Sequence, residues 1–522
     1  MDAMANGPHW WRGATLYQIY VRSWRDTDAD GYGDLPGVIA GLDYLEWLGV
    51  DGIWLSPTMP SPNQDWGYDV ADYLGVQPDL GTLADMDKLI AEAGQRGIAV
   101  LLDLVPNHTS IAHPWFADAR SGPGSAHRGY YVWADPVGGG PPNNWMDATG
   151  APAWTLDAVS GQYYLHNFLP GQPDLNWWDP RVPGEFRDIM RFWFARGVAG
   201  FRIDVAHGLY KDAGLRHNPP LVGGSRLDGA FGLKPVYSMN QPQTHEVYRD
   251  WRRLADSYSP PRLLLGETWT GDLAALASYY GHGDELDLAF NFVFLFAEFE
   301  ARALAGAVDR TLAALPAGAC PVWTASNHDV SRFPTRWCGG DEARARLALL
   351  MLATLPGTLV LYYGDEIAMP DVAVPPQLRR DRMTPGVGSD GRDAERTPMQ
   401  WDASASAGFT ADGVTPWLPL GDNARRNVAA QRDDPGSTLR LVRDLLALRR
   451  AEFGGTVPAY QRLPAPPGVW SYRCGPLQVT ANFTDRPVSL PEPPGEVLVS
   501  TGRDGSPGAA LGPWRGLVTR AP

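Results

Sequence analysis

The chain has 522 residues, too many for one ordinary hydrophobic core, so about three domains are expected, one of them large. Its 44% hydrophobic and 20% charged residues are those of a soluble globular protein. A net charge of −15, with lysine confined to Lys88, Lys211 and Lys234, excludes the basic face that nucleic acid or an anionic membrane requires and favours an uncharged small molecule as partner.

Short apolar runs predict strands at 16–21, 52–56, 99–104, 200–205, 263–267, 286–291, 322–326 and 358–362. Helical periodicity fills the intervals at 35–47, 83–95, 184–195, 244–257 and 344–355. The strand runs are solidly apolar rather than alternating, as in strands covered on both faces. Eight such strands interleaved with helices predict an α/β chain folded as a (β/α)₈ TIM barrel. Two connections are too long for simple loops. Residues 107–178, rich in Gly, Pro and Trp, are expected as a subdomain inserted after the third strand; residues 367–430 follow the eighth. A helix at 438–450 completes the barrel, and short alternating runs at 469–473 and 477–483 predict a C-terminal antiparallel β-domain. The expected organisation is a barrel over 1–106 and 179–453, the inserted subdomain over 107–178 and the β-domain over 454–522.

The uncharged run 347–364 is broken by Pro356-Gly357, so it reads as a buried helix, a turn and a strand, not a membrane span. Cys320, Cys338 and Cys474 are an odd set without metal-type spacing, and residues 1–12 show no basic segment leading into an apolar one. A cytoplasmic enzyme is expected, its oligomeric state open.

Asp204, Glu267 and Asp329 each lie at the downstream end of a predicted strand. A parallel barrel gathers those ends at one mouth, and acidic groups brought together there are what glycosidic cleavage needs. Arg202, two residues before Asp204, shares its strand face and can hold it ionised. Gly67-Tyr68-Asp69 follows the second strand and offers an aromatic face for a sugar ring beside a carboxylate for its hydroxyls. Asp26-Thr-Asp-Ala-Asp-Gly-Tyr-Gly-Asp34 has acidic oxygens at alternate positions around a Gly turn, which suits a hard cation such as Ca²⁺, although Gly37 stands where an EF-hand has its bidentate Glu. The tryptophans Trp115, Trp133, Trp145 and Trp154 are read as the small core of the inserted subdomain rather than as sugar platforms.

Asp103-Leu-Val-Pro-Asn-His108, Gly200-Phe-Arg-Ile-Asp204, Gly266-Glu267-Thr-Trp269 and Ser326-Asn-His-Asp329 resemble the four signature regions of the α-amylase superfamily, glycoside hydrolase family 13. Gln172-Pro-Asp-Leu-Asn-Trp177 and Arg392-Asp-Ala-Glu-Arg-Thr-Pro-Met-Gln-Trp401 resemble segments of its exo-acting α-glucosidase and oligo-1,6-glucosidase branch. The resemblance implies Asp204 as nucleophile, Glu267 as acid/base and Asp329 as a grip on sugar hydroxyls. It also implies His108 and His328 as a hydroxyl-binding pair and Tyr68, Asp69 and Arg202 as further substrate contacts, with Asp103 as a structural partner. Arg396 is expected to pair with Asp69 and close the site, with Arg392 as the competing candidate. Asn107 matches a metal-ligating position of calcium-dependent amylases, but the 26–34 loop is the better site: Asp26, Asp28, Asp30, the Tyr32 carbonyl and Asp34 would hold a structural Ca²⁺.

The implied activity is that of a retaining exo-α-glucosidase releasing α-glucose from non-reducing ends of short α-glucosides, with capacity for transglucosylation and no organic cofactor. Maltose and maltooligosaccharides are favoured; Val205 after the nucleophile keeps α-1,6 linkages open. The rivals are a trehalose synthase or transglucosidase, an endo-amylase, and a non-catalytic sugar-binding or transporter-partner barrel, against which the three retained carboxylates speak.

Overall fold

The computed structural model describes residues 7–223, 227–383, 391–489, 495–502 and 510–521; parts of the expected 367–430 insertion and of the 454–522 domain therefore lie outside the described residues. Three strands open the chain, β1 (Thr15–Ile19), β2 (Gly52–Leu55) and β3 (Ala99–Leu104). A small antiparallel sheet follows in the inserted segment, β4 (Trp133–Ala134), β5 (Trp154–Leu156) and β6 (Tyr163–Leu165), in the order β4-β6-β5. The main sheet then resumes with β7 (Gly200–Ile203), β8 (Leu263–Gly266), β9 (Leu288–Ala289), β10 (Val322–Trp323) and β11 (Thr358–Tyr362). Its eight parallel strands run β10-β11-β1-β2-β3-β7-β8-β9, a nearly closed (β/α)₈ barrel.

The two-residue period of a strand divides the core. Leu16, Trp54, Ala99, Leu101, Leu263, Leu265, Leu288, Val322 and Val360 fill the barrel interior. Their neighbours Tyr17, Ile19, Ile53, Leu55, Val100, Leu102, Phe201, Ile203 and Leu264 face the surrounding helices. Followed toward the C-terminal end, the inward rows change character: Leu16 gives way to Gln18, Leu101 to Asp103, Gly200 to Arg202 and Leu265 to Glu267. One end of the barrel is an oil-filled plug, and the other is charged.

The inserted segment has its own core of Trp145, Ala153, Trp154 and Leu165, whereas Trp115 and Trp133 are only partly buried against the main core. After the helix Thr438–Phe453 come β12 (Tyr460–Leu463), β13 (Val469–Cys474), β14 (Leu477–Asn482), β15 (Val488–Ser489), β16 (Val497–Ser500), β17 (Ala510–Leu511) and β18 (Gly516–Arg520). Five of these form an antiparallel sheet in the order β12-β13-β14-β18-β16. The helix Glu342–Thr354 is wedged between barrel and β-domain and is buried at every position from Ala345 to Thr354, so it shows no polar face. Tyr472 of the β-domain hydrogen-bonds Thr354 at 2.6 Å, and Arg346 reaches the Thr501 carbonyl at 2.9 Å. Among the described residues, no helix is long and apolar enough to cross a membrane.

Three elements differ from expectation. The predicted helix 35–47 is two helices, Leu35–Ala40 and Leu42–Leu48, broken at Gly41. A side chain there would meet Trp24 Nε1 at 2.7 Å, so the chain bends where only hydrogen fits. The strands expected at 286–291 and 322–326 shrink to the two-residue β9 and β10; after β9, Asn291 already caps the next helix through the Phe294 amide. The last barrel helix runs on to Phe453.

Gly200 faces inward on β7, where a Cβ would overlap the Leu263 carbonyl oxygen and lie 2.7 Å from the Leu263 Cβ. Gly200→Ala should therefore cost about 1–3 kcal/mol by overpacking against backbone that cannot retreat. Chemical denaturation should show the loss as a lowered midpoint with an unchanged slope.

Candidate active site

The strand register builds the centre of the mouth. Asp103 of β3 lies directly beside Arg202 of β7. One step beyond the strand ends, the Asp204 amide donates to the Leu104 carbonyl at 2.8 Å and the Glu267 amide to the Ile203 carbonyl at 2.9 Å. These bonds bring three carboxylates onto one buried guanidinium. Arg202 Nη1 donates to Asp204 Oδ1 at 2.6 Å and to Asp103 Oδ1 and Oδ2 at 3.0 and 3.2 Å, while Nη2 faces Glu267 Oε2 at 2.9 Å. One cation cannot neutralise three anions in a dry site. Burial pushes Asp204 well above the usual carboxylate range, against the pull of Arg202 and with the repulsion of Glu267 and Asp103. Asp103 is pushed up to about 6, again by burial against Arg202. Asp103 and Asp204 are therefore linked through Arg202 and do not titrate independently of one another.

Val205 has φ 45°, a left-handed conformation that a β-branched residue adopts only under constraint. The same turn aims its amide at Glu267 Oε2, 3.0 Å away. Strain next to Asp204 thus supplies a donor to the facing carboxylate.

Tyr68 and His328 stack, with ring centroids 5.2 Å apart and an interplanar angle of 3°. Their polar atoms meet in a short Tyr68 Oη–His328 Nε2 hydrogen bond, Tyr68 also donates to Asp103 Oδ2 at 3.0 Å, and Gln18 bonds His328 Nδ1 at 2.7 Å. Burial and the neighbouring guanidinium groups hold His328 well below its ordinary value, so it is neutral. Asp329 is held below the usual carboxylate range. Burial alone would raise it, but the guanidinium groups of Arg392, Arg396 and Arg202 outweigh burial.

Arg396 and Arg392 both reach Asp329 Oδ1, at 2.8 and 2.9 Å. The expected pairing of Arg396 with Asp69 does not occur. Asp69 is buried, and its carboxylate accepts from Ser61 Oγ at 2.6 Å and from the amides of Gln64 and Asp65 at 2.9 and 3.0 Å, so its oxygens stabilise a turn. Arg396 instead donates through Nε to the His328 carbonyl at 2.7 Å. The closing ion pair is Asp65–Arg392, at 2.6 Å. Arg392 is fixed in turn by Asp381, which accepts from its Nε at 3.0 Å and its Nη2 at 2.7 Å. Asp65, three residues before Tyr68, could have been found by asking which carboxylate shares that turn; Asp381, alone in a charged stretch, carried no such signal.

Gln172 of the inserted segment bonds Asp65 at 2.9 Å and approaches His108 Nε2 at 3.2 Å, tying the subdomain to the mouth. Asn107 lies beside a buried ammonium. Lys211 Nζ donates to Asn107 Oδ1 at 2.8 Å and pairs with Asp174 at 2.7 Å, filling with a fixed side-chain cation the position where Asn107 matched a metal ligand.

The 26–34 loop lies on the opposite flank. Asp26, Asp28 and Asp34 bring carboxylate oxygens within 4.8 Å of one another, an all-oxygen donor set that fits a hard cation. Asp30 turns away, its Oδ1 accepting from the Tyr32 amide at 2.7 Å. A ladder of rings leads inward from this loop: Tyr32 to Trp417 at 6.0 Å, Trp417 stacked on Tyr20 at 5.9 Å, and Tyr20 to His328 at 6.1 Å.

Glu395, next to Arg396, is buried and pushed up to about 8 by burial and the nearby Asp371. A carboxyl raised by folding keeps its proton in the native state after the unfolded chain has lost it, so its contribution to stability falls as pH rises from about 4.5 toward 8. Glu395→Gln should remove that slope, gaining on the parent chain in urea denaturation as pH is raised over that interval.

Comparison with known proteins accords with this geometry. Residues 18–454 match the family model for the alpha-amylase catalytic domain. A probable alpha-glucosidase of Rhizobium meliloti is 40% identical over 460 residues, covering 85% of this chain and 83% of that protein. An oligo-1,6-glucosidase of Parageobacillus thermoglucosidasius is 37% identical over 483 residues, covering 84% of each. Among solved structures, an alpha-glucosyl transfer enzyme superposes with a TM-score of 0.90 at 37% identity, covering 98% of this chain and 100% of that one. The chain belongs to the α-amylase family of glycoside hydrolases and is an enzyme of its α-glucosidase type.

Proposed function

We infer that the chain is a retaining exo-α-glucosidase acting on short, neutral α-glucosides. The observation that carries the exo-acting reading is the Arg392 guanidinium spanning Asp65 at 2.6 Å and Asp329 at 2.9 Å, which makes the far side of the mouth a blind end. A non-reducing glucosyl unit fits such an end; an internal segment of a long chain does not.

In this reading Asp204 attacks the anomeric carbon while Glu267 gives its proton to the leaving oxygen, and Glu267 then takes a proton from water as the covalent bond to Asp204 breaks. Arg202 restrains both groups, holding Asp204 at 2.6 Å and Glu267 at 2.9 Å for their two roles. Asp329, kept anionic by its arginines, accepts from the ring hydroxyls, and the neutral His328 and His108 stand beside it as the hydroxyl-binding pair once sugar displaces their Tyr68 and Gln172 contacts. Tyr68 stacks on His328 and positions it.

Maltose-type α-1,4 bonds are the favoured substrates, with α-1,6 bonds retained as an alternative because Val205 and the likeness to an oligo-1,6-glucosidase both point that way. The likeness to an alpha-glucosyl transfer enzyme supports a second capacity, passing the glucosyl unit to another sugar in place of water. The three cysteines are buried and unpaired, which supports a reducing, cytoplasmic setting.

Time-resolved product analysis on maltose and isomaltose tests the reading. Glucose should appear first as the α-anomer, and Asp204→Asn should lower the rate by about 10³-fold or more. Trehalose or longer oligosaccharides without glucose would sink hydrolysis, and β-glucose as first product would sink retention.

The 26–34 loop is proposed to hold a structural Ca²⁺ through Asp26, Asp28 and Asp34, with the Tyr32 carbonyl completing the set; its charge would offset three clustered carboxylates and supply no chemistry to the reaction. Calcium added to chelator-treated protein should raise the melting temperature, and Asp28→Ala should abolish that rise. An identical rise in both proteins would overturn the assignment.

A further inference from the structure

Away from the carboxylates, a second cavity of about 470 Å³ opens at the seam between the inserted subdomain and the loop after β7. Its volume lies in the range of small-molecule sites and has room for a di- or trisaccharide. Trp178 lines it and is the only tryptophan among the exposed large apolar side chains of the described residues, with 45% of its surface accessible.

The exposed indole is held rather than loose. Its Nε1 donates to the Lys211 carbonyl at 2.8 Å, its amide is capped by Asn176 Oδ1 at 3.2 Å, and its edge packs at 87° on Tyr210, 4.9 Å away. An aromatic face fixed in this way and left open to solvent is a platform for the C–H face of a pyranose, which loses little entropy in using it.

The charges lining the cavity are already engaged within the protein. Arg128 donates to Gln162 Oε1 at 2.6 Å and to the Ala119 carbonyl at 2.9 Å while covering the Trp133 ring. Lys211 points inward to Asp174, and Asp212 holds Arg216 at 2.6 Å. The side-chain amides are engaged as well, Asn176 with the Gly129 carbonyl at 3.0 Å and Gln162 with Asp135 at 2.8 Å, so what a ligand meets is the indole face and main-chain groups. That chemistry suits a neutral polyhydroxylated molecule and offers no free charge to an anion or a cation.

We propose that this cavity is a second saccharide-binding site, for a neutral α-linked di- or trisaccharide, with Trp178 as its platform. The choice of α-linked sugar rests on the α-glucosidase reading of the mouth; the existence of a saccharide site does not. The site is separate from the carboxylates, and its link to them runs through Lys211, whose carbonyl fixes Trp178 and whose ammonium holds Asn107, the neighbour of His108.

The test is calorimetric titration of the full chain carrying Asp204→Asn with maltotriose and with isomaltotriose, with and without Trp178→Ala. The expected result is two binding events, of which Trp178→Ala weakens one by about tenfold or more and leaves the other unchanged. Trp178→Phe, which keeps a ring but loses the bond to Lys211, should weaken the same event by less. Unchanged melting temperatures of both variants exclude a folding defect, as expected for a half-exposed side chain. A single event that survives Trp178→Ala overturns the proposal and leaves the reading of the mouth standing. A single event that Trp178→Ala removes supports the proposal and counts against that reading. Absence of binding by either sugar overturns it.

Discussion

The site depends on one buried guanidinium. Among the described residues, Arg202 is the only cation in direct contact with Asp103, Asp204 and Glu267, and each of these stands on a different barrel strand or at its end. Removing Arg202 would leave buried carboxylates uncompensated, where breaking even an ordinary buried pair costs about 3–5 kcal/mol. The apolar plug below it matters for the same reason. Trp54, Leu101 and Leu265 exclude water from the floor of the mouth and so make the electrostatics above it strong. Fold and chemistry are joined at this layer, where the inward rows change from apolar to charged.

A second guanidinium does the corresponding work at the rim. Arg392 belongs to the long connection after β11, yet it joins Asp65 from the turn after β2 to Asp329 from the turn after β10. Asp381 orients it, and the paired charges keep both Asp381 and Asp329 below the usual carboxylate range in spite of their burial. The inserted subdomain joins the same network through Gln172 and Asp174. Three excursions from the barrel, separated by hundreds of residues, thus share one hydrogen-bonded rim.

How much of this was legible in the sequence follows from the range of each interaction. Strands β1, β2, β3, β7, β8 and β11 were readable because burial on both faces leaves an unmistakable apolar run. Asp204, Glu267 and Arg202 were readable because strand period and strand end fix their direction. The break at Gly41 was hidden, since it depends on Trp24, which packs there from another element. The exchange of Asp69 and Arg396 for Asp65 and Arg392 was hidden for a related reason. Asp65 and Asp69 are near neighbours in sequence, as are Arg392 and Arg396, and only the folded turn decides which carboxylate is spent on its own backbone amides.

In the exo-acting reading proposed above, the bridge of Asp65, Arg392 and Asp329 leaves the mouth a single doorway. In a glucoside processed there, the aglycone occupies the doorway and the glucosyl unit the floor, so departure follows position: the aglycone leaves first and free glucose last. Whatever intercepts the glucosyl unit must enter by the route the aglycone has just vacated. In that reading, water and a second sugar are competitors for one threshold.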